Sequence, residues 1–190
     1  MDTLGLLKKL VSIPSFSREE GPACDFLEGW MKEAGLGEVH RIGNNLWVES
    51  SPADNRPVIL LNAHIDTVRP ASGYTRDPFC ATEEDGRLYG LGTNDDGGSL
   101  AALIQVYALL KDTPQPYRLI LSATAEEEVS GRGGLDLLLP EIGRVDFGII
   151  GEHVRNAYSG ETSIVQNGRV LLQQSTGHVA LIEKTNDGVL

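Results

Sequence analysis

Three short, largely apolar runs constrain the fold of this chain more than any other feature. They are Pro57–Leu61, Tyr117–Ala123 and Val145–Ile150, and each lies between turn-forming residues. Runs of this kind are typical of strands that are covered on both faces, as in a parallel sheet. A long stretch rich in Ala and Leu, Ser99–Leu110, separates the first two runs and predicts a buried helix. The alternation of buried strands and helices predicts a layered α/β domain with a largely parallel sheet.

The rest of the chain adds shorter elements to this pattern. Amphipathic spacing predicts helices at Leu4–Val11 and Glu19–Ala34, and a further helix is predicted at Gly131–Leu139. Leu46–Val48 follows a turn and predicts a strand. Ser163–Gln173 has the pattern of a strand and hairpin, and a polar segment follows it.

The charge balance excludes several classes of partner. The 190 residues include 16 Lys and Arg against 27 Asp and Glu, a formal net charge of −11. An acidic chain is a poor match for nucleic acid or for anionic lipid surfaces, and no apolar run approaches the ~18 residues of a membrane span. The first ten residues place their lysines late, the reverse of a signal peptide. Two well-separated cysteines, Cys24 and Cys80, then predict reduced thiols in the cytoplasm.

Groups that can bind metals follow the predicted strands. His64 and Asp66 come directly after the first run, and residues two apart in a strand point to the same side. A histidine that binds a metal usually has its second ring nitrogen oriented by a partner such as a carboxylate. The alternative interpretation is a core histidine followed by an aspartate that forms a turn.

Three acidic segments lie at the ends of predicted strands or at the start of the predicted buried helix. Asp95–Asp96 precedes the buried helix, Glu126–Glu128 follows the second strand and Glu152 follows the third. Taken singly, the first pair reads equally well as helix caps, and the second group as an exposed acidic turn. Since active sites of such sheets lie at the carboxyl ends of the strands, we expect these groups to meet.

The donor set indicates the chemistry. It mixes imidazole and carboxylate and contains no thiolate, which suits zinc, or cobalt or manganese in its place. Several carboxylates favour two metal ions about 3.5–4 Å apart, with a Glu that takes a proton from the attacking water. A serine nucleophile is disfavoured because the chain lacks a Gly-x-Ser-x-Gly segment.

Four ordered segments resemble the co-catalytic zinc metallopeptidase family. The family includes aminoacylase, acetylornithine deacetylase, succinyl-diaminopimelate desuccinylase and glutamate carboxypeptidase. The segments are Asn62–Val68, Leu88–Asp95, Thr124–Gly131 and Ile150–Glu152. The resemblance extends from about Leu4 to Glu152. The segment Leu-Gly-Thr-Asn-Asp is most similar to the acetylornithine or succinylornithine deacetylase branch.

The resemblance implies roles for six residues. The implied ligands of two zinc ions are His64, Asp95, Glu128 and Glu152. Asp95 would bridge the two ions, Glu127 would be the general base, and Asp66 would orient His64. The substrate implied is an N-acyl amino acid, cleaved at its amide bond in a three-layer αβα catalytic domain.

Two departures from the family pattern bear on the domain organisation. His153 stands where the family usually has Pro, and family members are roughly twice as long, with an inserted lid and a later histidine ligand. We therefore expect an incomplete catalytic domain at 1–160 and a strand tail at 161–190, a remnant of the lid. His178 weakly resembles the lid histidine that contacts substrate. Apolar surface left by the missing segments would favour homo-oligomers.

Three hypotheses follow from the sequence. The leading one is a cytoplasmic zinc-dependent amidohydrolase of the deacetylase or aminoacylase type, present as a truncated or lidless chain with an incomplete second metal site and little or no activity alone. The second is a truncated, inactive fragment or a non-catalytic module that binds metal or a partner. The third is a complete small protease of another family, which the lack of a second anchored histidine disfavours.

Overall fold

The computed structural model describes residues 1–152 and, beyond them, three strands at 163–166, 169–173 and 179–182. The four helices are α1 (Thr3–Val11), α2 (Gly21–Glu33), α3 (Gly97–Leu110) and α4 (Leu135–Ile142). The first seven strands are β1 (His40–Ile42), β2 (Asn45–Glu49), β3 (Val58–His64), β4 (Thr82–Glu84), β5 (Arg87–Tyr89), β6 (Arg118–Thr124) and β7 (Phe147–Gly151). The last three are β8 (Ser163–Gln166), β9 (Arg169–Gln173) and β10 (Val179–Ile182).

One mixed sheet organises the chain. Its strand order is β1-β2-β6-β3-β7-β10-β9-β8, and β4 and β5 form a separate hairpin. The three predicted apolar runs form its centre, where β3 pairs in parallel with β6 on one side and β7 on the other. The crossover from β3 to β6 and the crossover from β6 to β7 thus run in opposite directions across the sheet. The carboxyl end of β3 is therefore a switch point of the sheet, where ligand sites are expected.

The sheet separates two apolar cores, because successive residues of a strand point to opposite faces. Leu61 belongs to the core that contains residues of α1, α2 and α3. Its neighbour Leu60 belongs to the second core, against Leu138 of α4. This arrangement is the three-layer αβα architecture that the resemblance implied. The apolar runs within β3 and β6 are typical of strands whose two faces are both covered.

Two element boundaries differ from the sequence prediction. β3 continues past Leu61 as far as His64, so the histidine belongs to the strand itself. The helix predicted from Gly131 begins only at Leu135. The amides of Gly131 and Gly133 are instead bound by the backbone carbonyl and carboxylate of Glu126. The turn after β6 therefore uses the glycines for close packing and delays the helix.

The later part of the chain continues the sheet. β8 and β9 pair as an antiparallel hairpin at the predicted position, and β10 pairs with β7. The division into 1–160 and 161–190 stays a prediction. His153 and His178 lie outside the described residues. No helix in the described part combines the length and the apolar character needed to cross a membrane.

Candidate metal centre

His64 lies at the carboxyl end of β3 and is only 2% exposed. Its Nδ1 donates to the backbone carbonyl of Asp66 at 2.8 Å. This bond fixes the ring tautomer, because a carbonyl oxygen can only accept. Nε2 is therefore the ring nitrogen that remains to bind a proton or a metal ion, and it lies 3.0 Å from Asp95 Oδ1 and 3.9 Å from Glu127 Oε2.

The carboxylate of Asp66 is completely buried and organises the neighbouring turn. Its Oδ1 accepts from the amide of Glu127 at 3.0 Å, and its Oδ2 accepts from the amide of Glu128 at 3.1 Å. Oδ2 also accepts from the Ser17 hydroxyl at 2.7 Å. The carboxylate lies 3.4 Å from His64 Nδ1, so the backbone carbonyl makes the shorter contact to the imidazole. Asp66 thus joins the histidine to the acidic turn.

The loop that bears Asp95 packs tightly against the start of α3. Gly92 has φ +75°, a left-handed conformation that favours glycine. A Cβ on Gly97 would lie 2.6 Å from the Gly92 carbonyl oxygen, so only glycine allows this approach. The neighbouring Asp96 is 1% exposed, and its Oδ2 accepts from the His64 amide at 3.3 Å. The Asp95–Asp96 peptide is cis.

The remaining carboxylates come from the ends of β6 and β7. Glu127 and Glu128 lie in a single 3-10 turn after β6, and Glu152 directly follows β7. A Cβ on Gly151 would lie 2.4 Å from Ser99 Cβ, so this glycine lets β7 approach α3 closely. That approach brings Glu152 to the same edge of the sheet as the 3-10 turn.

These elements bring the predicted ligands together. Ligand atoms of His64, Asp95 and Glu128 lie within 4.8 Å of one another, and so do those of His64, Glu127 and Glu152. Both groups share His64, which is buried while the carboxylates reach the surface to differing extents. One imidazole nitrogen thus faces carboxylates from three separate segments of the chain.

The pKa directions show how unfavourable this cluster of charges is. Burial, followed by the charge of Glu127, raises the pKa of Glu152 to about 8. Burial also raises the pKa of Asp96 to about 6 and the pKa values of Glu127 and Glu128 above their ordinary range. Burial would lower the pKa of His64, but hydrogen bonds to Asp66 and Asp95 outweigh it and raise the value to about 11. Burial is the leading cause for the four carboxylates and neighbouring negative charges add to it, whereas the raised pKa of His64 reflects its acidic partners.

A divalent cation fits this donor set. His64 Nε2 faces Asp95 Oδ1 at 3.0 Å, a contact that a proton on Nε2 supports in the metal-free chain and that a bound cation would replace. Imidazole nitrogen and carboxylate oxygens are ligands that zinc, cobalt and manganese accept. A cation there would also stabilise the charged forms of the carboxylates. The residues present therefore match a metal centre in type and in placement.

All six residues singled out from the sequence lie at this edge of the sheet: Asp66, Glu127, His64, Asp95, Glu128 and Glu152. Two participants were missed. Ser17 reaches Asp66 because the loop before α2 pairs with Thr67, a long-range contact with no sequence signal. From the sequence, Asp96 stands out only as part of an acidic pair. Its place in the sequence, directly before a buried helix, could have predicted its burial.

Comparisons with known proteins identify the family to which this chain is related. The model of peptidase family M20/M25/M40 matches residues 60–170, which is more than half of the chain. This chain belongs to that family. The succinyl-diaminopimelate desuccinylase of Delftia acidovorans is 32% identical over 184 residues, 88% of this chain and 47% of the relative. The chain therefore spans about half the length of the curated relatives that it matches. The acetylornithine branch finds no support among these relatives.

Solved structures agree on the fold. Human carnosine dipeptidase 1 matches with a TM-score of 0.67 at 20% identity, over 85% of this chain and 40% of that one. The YXEP protein of Bacillus subtilis, a dinuclear metal binding peptidase of the M20 family, matches with a TM-score of 0.54 at 20% identity. That match covers 73% of this chain and 38% of the other. At these identities the likeness concerns the fold.

Proposed function

We propose that this chain carries the catalytic domain of a di-zinc hydrolase that cleaves the amide bond of an N-acyl amino acid. One observation supports this most strongly: the imidazole of a buried histidine lies within 4.8 Å of carboxylates from three other segments. Membership of the M20 family supports the reaction class. The Bacillus subtilis relative, described as a dinuclear metal binding peptidase, supports two ions rather than one.

The chain's own residues divide the work as follows. His64, Asp95, Glu128 and Glu152 are the proposed ligands. Bound zinc would supply Lewis-acid polarisation of the substrate carbonyl and would make water more acidic. Glu127 takes a proton from the attacking water, whose oxygen bonds to the carbonyl carbon. When the carbon–nitrogen bond breaks, Glu127 delivers that proton to the leaving amine.

The position of Glu127 suits a base. Its side chain is 45% exposed, so substrate can reach the carboxylate, while its amide is anchored on Asp66. Glu128 is anchored on the same carboxylate. The base and the proposed ligand beside it are therefore held in one turn that Asp66 anchors. Asp66 is a positioning residue for both, and it orients His64 as well.

The acyl group is a finer question with two candidates. Relatives named succinyl-diaminopimelate desuccinylase favour an N-succinyl amino acid. The segment Leu91–Asp95 is instead most similar to the acetylornithine and succinylornithine deacetylases. Both candidates are N-acyl amino acids whose hydrolysis yields a carboxylate and a free amine.

The test is turnover by the zinc-loaded chain. N-succinyl-L,L-diaminopimelate and N-acetyl-L-ornithine are offered separately, and the released amine is measured. Glu127→Gln is expected to lower kcat by about 10²–10⁴-fold while zinc content stays at the wild-type level. Glu141→Gln, an exposed position in α4, is the matched control and should behave as wild type. Zinc binding without any turnover would instead support a non-catalytic metal-binding module. Unchanged turnover in Glu127→Gln would refute the assignment of the base.

A further inference from the structure

Four consecutive backbone amides after β6 are all bound by side chains from elsewhere in the chain. The pairs, amide first, are Ala125 with Asn45 Oδ1 (3.0 Å), Glu126 with Glu20 Oε1 (3.2 Å), Glu127 with Asp66 Oδ1 (3.0 Å) and Glu128 with Asp66 Oδ2 (3.1 Å). Two of the three accepting residues are fully buried carboxylates. The turn that carries the proposed base is thus held by its backbone, which leaves the carboxylates of Glu127 and Glu128 free for chemistry.

Glu20 is the unexplained member of this set. It is completely buried, although it is the residue that precedes the first turn of α2. Residues at this position usually bind the amides of their own helix, but the side chain of Glu20 makes no such bond. Its Oε1 accepts from the amides of Arg18 (2.5 Å) and Glu126 (3.2 Å), and its Oε2 accepts from Asn44 Nδ2 (3.0 Å). Burying a carboxylate is costly, so these hydrogen bonds to groups outside the helix must compensate for the lost hydration of Glu20.

The two backbone positions that Glu20 binds are both strained. Arg18 has φ +73° and Glu126 has φ +57°, left-handed conformations that are uncommon for residues other than glycine. The conformation of Glu126 turns the chain at the end of β6, so that the next two amides face Asp66. Strain of this kind persists where the surroundings enforce it, and it concentrates at functional sites.

We propose that Glu20 is a positioning residue that holds Glu126 in its left-handed conformation and thereby sets the placement of Glu127 and Glu128. The inference rests on the proposed function for its consequence in catalysis, but its structural content is independent of it. Loss of groups that support metal ligands typically costs 10–100-fold in metal affinity or activity. The effect should fall on Glu128 and Glu127, and not on His64, which is held by β3.

Three substitutions of Glu20 distinguish the effect of its hydrogen bonds from the effects of its charge and its size. Glu20→Ala removes all three bonds. Glu20→Gln keeps the shape: its oxygen can accept both amides, and its amide nitrogen can donate to Asn44 once the Asn44 side-chain amide is rotated. Glu20→Asp keeps the charge but is one methylene shorter. If the alanine variant fails to fold, the glutamine and aspartate variants still test the inference.

The matched control is Asp146→Ala. Asp146 is also a buried carboxylate that accepts a backbone amide, that of Val58 at 3.0 Å. Val58 begins β3, so this contact lies at the edge of the sheet opposite the proposed site. The control therefore reports the general cost of removing a buried carboxylate from this fold.

The first measurement is amide hydrogen exchange by NMR on the metal-free chain. Glu20→Ala should accelerate exchange at Glu126, Glu127 and Glu128 at least about tenfold relative to wild type, and Glu20→Asp should do so less. Glu20→Gln should stay within about threefold of wild type, because it keeps the geometry. Asp146→Ala should accelerate exchange at Val58 and leave the turn unchanged. Wild-type exchange at Glu127 and Glu128 in both the alanine and aspartate variants would overturn the inference.

The second measurement is zinc affinity by competition with a chelator. Glu20→Ala should weaken the weaker of the two binding steps about 10–100-fold, with recovery in Glu20→Gln, while Asp146→Ala leaves both steps unchanged. If the wild-type chain binds no zinc, the proposed function fails, while the exchange data still decide the role of Glu20. If zinc binds and the affinity is indifferent to Glu20→Ala, the positioning role fails and the proposed function stands.

Discussion

Replacing Asp66 by alanine tests the central contact of the site. The carboxylate is fully buried and accepts from the amides of Glu127 and Glu128 and from the Ser17 hydroxyl. Hydrogen bonds donated to a carboxylate stabilise its charged form and therefore lower its pKa. Here burial opposes the shift, but the bonds from His64, Ser17 and the Glu127 amide hold the pKa of Asp66 below its ordinary value. The native site therefore stabilises the ionised form, and alanine removes that interaction entirely.

The expected magnitude follows from the partners that are left behind. Each hydrogen bond to a charged group contributes about 1.5–3 kcal/mol. The substitution vacates the space of the carboxylate beside a turn whose Glu127 side chain is 45% exposed, so we use the lower end of this range for the two freed amides. The Ser17 hydroxyl can rotate to another acceptor. Asp66→Ala is therefore expected to lower the free energy of unfolding by about 3 kcal/mol, and Asp66→Asn, which keeps one acceptor oxygen, by about 1–2 kcal/mol.

Urea unfolding of the metal-free chain, followed by circular dichroism, measures these differences. Asp112→Ala is the control, because the Asp112 side chain is 80% exposed and pairs only with the neighbouring lysine in the described contacts. Its midpoint and slope should match those of wild type. An Asp66→Ala variant as stable as the control would refute the reasoning that this carboxylate holds the turn. A graded loss, with alanine below asparagine, is the expected result.

Two further outcomes test the core and the thiols. Leu61→Ala should cost about 2–5 kcal/mol of unfolding free energy, because Leu61 is 1% exposed in a strand covered on both faces, whereas Leu109→Ala, at 65% exposure, should cost little. Iodoacetamide at pH 8 should label Cys80 but not Cys24 in the native chain, since burial raises the pKa of the Cys24 thiol to about 11. Mass spectrometry should find both cysteines labelled after unfolding in urea. Native labelling of Cys24 would contradict the packing of α2.

The sheet was predictable because its central strands lie between two layers. A strand covered on both faces is largely apolar, so the apolar runs of the sequence predict β3, β6 and β7. Their boundaries were less certain. The polar end of β3, Asn62 to His64, lies within the sheet, since Asn62 Oδ1 accepts from Ser122 and Thr124 in the neighbouring strand. Such pairing across strands leaves no periodic signal in one segment.

The start of α4 illustrates a different limit. Gly131–Gly134 looked like the first turn of a helix, but a Cβ on Gly134 would lie 2.0 Å from the Ala125 carbonyl oxygen. The glycines are needed for close packing under the acidic turn. This requirement comes from residues several positions away, and local propensity does not contain it.

The sequence by itself determined the layered α/β architecture and the types of side chain that follow each central strand. Both depend on hydrophobic burial and strand geometry, which act over a few neighbouring residues. Only the tertiary structure decided which groups touch. The bond from Ser17 to Asp66 spans 49 positions, and the bond from the Glu126 amide to Glu20 spans 106. Contacts of that range depend on how crossovers return the chain to one edge of the sheet. Which side chains are buried there depends on contacts with residues distant in the sequence, and a local sequence pattern does not contain that information.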